Sequence, residues 1–84
     1  MNEARWKVAD EVARARAAHR PLVALETTVV THGLPAPEGV NVARAMEAAV
    51  AGAGAVPATI GLLDGLVRVG MSAEELDQIG RAHV

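Results

Sequence analysis

The sequence predicts an α/β fold, a partial α/β/α layered arrangement with a βαβ unit at its centre. Three observations predict it. Stretches with helical spacing alternate with short apolar runs, the runs are unbroken as in strands of a parallel sheet, and Gly, Pro or Asp-Gly separates the segments. The 84 residues read as a single incomplete domain, because two or three strands cannot give a parallel sheet neighbours on both edges. The expectation is therefore the amino-terminal fragment of a larger domain. Its core would be thin, since 18 of the apolar residues are Ala and 12 are Val, with one Trp and no Phe or Tyr.

Residues 1–20 predict an amino-terminal helix from about Asn2 to Ala18, in which Trp6, Ala9, Val12 or Ala13, and Arg16 recur at helical spacing. Pro21 ends it by about His19. Leu22-Val23-Ala24-Leu25 is an unbroken apolar run followed by Glu26-Thr27-Thr28-Val29-Val30-Thr31, and its lack of alternation suits a strand covered on both faces. His32 to Pro37 reads as a loop, because two prolines and a glycine forbid a regular ladder. Pro37 suits the first turn of a second helix over Glu38 to about Ala53, closed by Gly52 and Gly54. A second strand follows over Val56–Leu63. Asp64-Gly65 turns it into a short returning strand, Leu66 to Gly70. Ser72-Ala73-Glu74-Glu75 is a capping box that starts a third helix at Ala73, with Gly80 as a candidate stop.

Composition excludes several function classes. Without Cys there is no disulfide, thiolate nucleophile or Cys-based metal site. Eight Lys and Arg against ten Asp and Glu, with one aromatic residue, give neither the field nor the stacking surface of a nucleic-acid binder. No apolar stretch is long enough for a membrane span and the first residues lack a secretory signal, so the expected location is cytoplasmic.

Glu26 is the first candidate for chemistry. It follows four apolar residues at the carboxyl end of a parallel strand, the edge where α/β sheets gather ligands. An apolar surround there would favour its protonated form and suit it to donate a proton; the alternative is a solvated or salt-bridged strand end. His32 could pair with a phosphate or polarise a substrate group, or be a hydrogen-bonded loop residue. Thr27, Thr28 and Thr31 could bind phosphate or satisfy strand ends. Gly52-Ala53-Gly54 ends a helix where a phosphate loop must open one. His19, His32 and His83 have no metal-site spacing with carboxylates.

From Pro21 onward the sequence resembles the amino-terminal part of the pseudouridine-5′-phosphate glycosidase family. The phrases that carry the resemblance are Val23-Ala24-Leu25-Glu26-Thr27-Thr28, Thr31-His32-Gly33-Leu34-Pro35, Gly54-Ala55-Val56-Pro57-Ala58-Thr59-Ile60, Arg68-Val69-Gly70-Met71-Ser72 with Glu74-Glu75, and Ile79-Gly80-Arg81. Residues 1–20 match only as an amino-terminal helix. The resemblance implies a reversible cleavage of the C–C glycosidic bond of pseudouridine 5′-phosphate to uracil and ribose 5-phosphate, by a manganese-dependent homotrimer with an α/β/α fold. It implies that Glu26 is the proton donor, with Thr28 and His32 near it. The family's nucleophilic lysine, manganese-binding aspartate and most phosphate contacts match no residue here, and Lys7 precedes the matching segment. By this resemblance the chain is an incomplete enzyme, inactive alone. Two alternatives are a noncatalytic small α/β binding or oligomerisation module, and a fragment of another nucleoside-processing enzyme.

Overall fold

The computed structural model of the chain describes residues 5–82, with the side chain of Ala82 excepted. In chain order it forms β1 (Trp6–Val8), α1 (Asp10–Ala17), β2 (Leu22–Glu26), a π-helical turn (Val29–Gly33), α2 (Glu38–Gly52), β3 (Val56–Leu63), β4 (Leu66–Val69) and α3 (Ala73–Ala82). The strands make one sheet in the order β1-β4-β3-β2. β2 and β3 are parallel, registered from Leu22 opposite Val56 to Glu26 opposite Ile60, and α2 joins them as the crossover of the expected βαβ unit. β3 and β4 are antiparallel, with Leu63 opposite Leu66. Asp64 and Gly65 make the turn with φ of 54° and 75°. Two positive φ values in a two-residue loop match the right-handed twist of the flanking strands, which is why Asp-Gly stands there.

The amino-terminal helix over residues 1–20 is corrected by the structure. Trp6, Lys7 and Val8 form a strand parallel to β4, opposite Val67, Arg68 and Val69. Backbone pairing with a strand some sixty residues away in sequence overrides the local helical pattern, and Trp and Val are good strand formers. The helix begins only at Asp10, after Ala9 in an extended conformation, and ends at Ala17. Residues 1–4 lie outside the described residues.

The strand that opens at Leu22 is short. It stops at Glu26, and the chain bends because the Thr27 carbonyl accepts the Val30 and Thr31 N–H groups, both at 3.0 Å. Nor is β2 covered on both faces: it is an outer strand of the sheet, with Val23, Ala24 and Glu26 exposed. α3 passes through Gly80 instead of stopping there. Gly80 is buried against Val40 of α2, whose Cγ2 would lie 2.8 Å from any added Cβ, so packing accounts for that glycine.

The capping box forms as expected. The Glu75 N–H donates to Ser72 Oγ at 3.1 Å, and the Ser72 N–H donates to Glu75 Oε1 at 3.0 Å. The main apolar cluster joins Val30 of the π-helical turn, Val40 and Ala43 of α2, Met71, and Leu76 and Ile79 of α3. It lies directly behind the turn that follows Glu26.

Candidate functional site

The site is a corner in the chain. The β2–β3 ladder brings Glu26 to the carboxyl end of its strand, as the sequence implies, opposite Ile60. The side chain is exposed, and the apolar surround expected around it is not formed by the described residues. β2 has no neighbour on its outer side among the described strands.

Past Glu26, hydroxyl groups shape the turn. Thr27 Oγ1 donates to the Ile60 carbonyl at 3.1 Å, and Thr31 Oγ1 donates to the Thr27 carbonyl at 3.2 Å. Both are committed to the backbone, the bland option for these threonines. Thr28 stands at the start of the π-helical turn, exposed, with helical backbone angles and no capping bond from its side chain. His32 lies in the turn's last residues and is exposed, so the expected irregular loop begins only after Gly33. It borders a depression of about 330 Å³ that Val30, Leu34, Pro35 and Gly80 also line. Thr28 and His32 thus share one turn immediately after Glu26, while Glu26 does not line that depression.

Lys7 sits on β1 and Glu26 on β2, at opposite edges of the sheet. Three strand spacings of about 4.8 Å separate those edges by roughly 14 Å, and the ladders put Lys7 level with Arg68 and Gly61 but Glu26 level with Ile60, on the opposite face of the sheet. Among the described residues no group of three or more His, Asp or Glu is placed to hold a metal ion. The described residues do not fit manganese.

Two polar contacts support the corner from behind, and the sequence reading missed both. Thr59, the one buried polar residue of the described core, donates its hydroxyl to Glu47 Oε2 and ties β3 to α2. Arg68 on β4 pairs with Glu75 at the start of α3 and lies 3.9 Å from Asp64. Neither pair has a sequence signal, since each joins separate elements. The capping-box Glu75 was visible, its second partner was not.

The family profile described as indigoidine synthase A like protein matches residues 11–84. The chain belongs to this family. Among its relatives, the pseudouridine-5′-phosphate glycosidase of Jannaschia sp. (strain CCS1) is 54% identical over 72 residues, 86% of this chain and 24% of that protein. The enzyme of the same name from Cupriavidus pinatubonensis is 56% identical over 71 residues, 84% of this chain and 23% of its own length. Two solved structures carry the same fold. An indigoidine synthase A-like protein of Thermotoga maritima superposes with a TM-score of 0.74 at 34% identity, covering 92% of this chain and 24% of that one. The prealnumycin C-glycosynthase AlnA, solved in complex with ribulose 5-phosphate, superposes with a TM-score of 0.74 at 38% identity, covering 94% of this chain and 25% of its own. The chain thus spans about a quarter of the length of the relatives it matches. No helix among the described residues is long and apolar enough to cross a membrane.

Proposed function

We propose that this chain forms the proton-donor portion of a pseudouridine-5′-phosphate glycosidase, acting in the reversible cleavage of pseudouridine 5′-phosphate to uracil and ribose 5-phosphate. The observation that carries the reading is the 54% identity to the Jannaschia enzyme across a stretch that includes Glu26. The ribulose 5-phosphate bound by AlnA supports a sugar phosphate as the substrate class.

The chemistry asks for two groups. A carbon leaving group must be protonated, and the ribose anomeric carbon must be made electrophilic. A lysine amine adding to that carbon after ring opening supplies the electron sink, and Glu26 supplies the proton to the departing uracil carbon. Water then releases ribose 5-phosphate from the amine. Lys7, on the far edge of the sheet, does not suit the first role. The remaining length of a family enzyme would supply the lysine and the manganese site, and the proposal includes a homotrimer in a cytoplasmic setting. The exposure of Glu26 in this chain favours the second reading, a noncatalytic module, for the chain taken by itself.

The test replaces the matching quarter of the Jannaschia enzyme with this chain and measures uracil release from pseudouridine 5′-phosphate. Turnover is expected, with Glu26→Gln lowering it at least ~100-fold as a general acid is lost. A Glu26→Gln chimera as active as its parent overturns the assignment. The 84-residue chain given uracil, ribose 5-phosphate and manganese should form no product, and sustained product formation would contradict its dependence on the rest of the fold.

A further inference from the structure

We propose that Thr27 is a positioning residue that sets where the Glu26 carboxylate stands, and that Gly61 is kept small to admit it. The proposal rests on the reading of Glu26 as proton donor. Glu26 is the last residue of β2 to pair with β3, opposite Ile60, so backbone rungs do not hold the chain beyond it. The Thr27 hydroxyl supplies the next tie, donating to the carbonyl of the same Ile60 at 3.1 Å. Its own carbonyl then takes three donors: the Val30 and Thr31 N–H groups at 3.0 Å and the Thr31 hydroxyl at 3.2 Å. One residue thus fastens the strand end on one side and starts the π-helical turn on the other.

Gly61 makes room for this arrangement. A Cβ there would stand 2.5 Å from Met71 Sδ and 3.3 Å from Thr27 Oγ1, so a side chain at position 61 would press on both the core methionine and the hydroxyl tie. The half-buried Thr27 is therefore gripped between β3 and the turn, while the adjacent Glu26 projects into solvent. Proton transfer to carbon needs the acid held to a fraction of an ångström, and a strand end without such a tie frays.

The test compares Thr27→Val, which keeps the shape and removes the hydroxyl, with Thr27→Ser, which keeps the hydroxyl, in the chimeric enzyme. Thr27→Val should lower kcat about tenfold to a hundredfold with KM within about twofold, and Thr27→Ser should restore most of the loss. Combining Thr27→Val with Glu26→Gln should cost no more than Glu26→Gln alone, because the tie acts through the carboxylate. Additive losses, or a Thr27→Val enzyme equal to the parent while Glu26→Gln is inactive, overturn the positioning role and leave the Glu26 assignment standing. A fully active Glu26→Gln enzyme overturns both. Hydrogen exchange on the 84-residue chain gives a readout that needs no turnover. Thr27→Val should deprotect the Val30 and Thr31 amides about tenfold or more while sparing the Leu76 amide in α3, and uniform or absent change overturns the proposal.

Discussion

Gly39 and Gly52 lie at the two ends of α2, and the same substitution to Ala should move stability in opposite directions. At Gly39 an added Cβ would sit 2.5 Å from the Val29 carbonyl oxygen, and 3.0 Å from both the Leu34 carbonyl oxygen and Val30 Cα. All three are backbone atoms, so no side-chain rotation relieves the clash. Restoring ordinary contact means moving the start of α2 away from the π-helical turn by nearly 1 Å, an overpacking cost of about 1–3 kcal/mol against a helix-propensity gain of up to ~1 kcal/mol. The net loss should be about 1–2 kcal/mol. At Gly52 nothing lies within 4 Å, and Ala should stabilise by about 0.4–1 kcal/mol through the unfolded chain. The two variants should differ by about 1.4–3 kcal/mol, or about 1.4–3 M in urea midpoint at a slope near 1 kcal/mol/M. Urea titrations followed by the helical circular dichroism of each variant measure the difference. If Gly39→Ala unfolds at or above the midpoint of Gly52→Ala, α2 does not press on the turn that carries Thr28 and His32.

Glu75→Ala should destabilise the chain by about 2–4 kcal/mol, since it removes the box at the start of α3 and strands the mostly buried Arg68, whose Nε has no hydrogen-bond partner. In the same unfolding assay Ser72→Ala should lose only about 1 kcal/mol, and Arg68→Met with Glu75→Leu should recover much of the Glu75→Ala loss. Gly65→Ala, at a φ of 75°, should cost about 1–2 kcal/mol, seen as a lower thermal midpoint, and Gly65→Asn should cost less.

The parts of the fold written in neighbouring residues were legible. Asp64-Gly65 marked the hairpin, Ser72 with Glu75 marked the start of α3, and the run from Leu22 to Leu25 marked a strand. What escaped reading depends on partners distant in sequence. Trp6-Lys7-Val8 has helical spacing with Val12 and Arg16, and only the ladder with Val67–Val69 makes it a strand. Thr27 to Thr31 has the composition of a strand, yet the Ile60 carbonyl takes the Thr27 hydroxyl and the chain turns. At the site, Glu26 was found because a carboxylate after an apolar run is conspicuous. The Thr27 tie was not, because three threonines within five residues look alike until one of them has an acceptor.

The exposure of Glu26 follows from the same feature that makes the sheet unfinished. β2 presents its outer edge without a strand beside it among the described residues, so its unpaired backbone groups and its terminal carboxylate face water together. Water stabilises a carboxylate anion and competes for any proton it would deliver, whereas a closed, apolar cleft reverses both effects. Covering that edge would accordingly complete the sheet and equip the acid in one step. The proposed chemistry is thus tied to assembly, and a chimera that fails to bury the β2 edge should also fail to protonate uracil, even with Glu26 and Thr27 both intact.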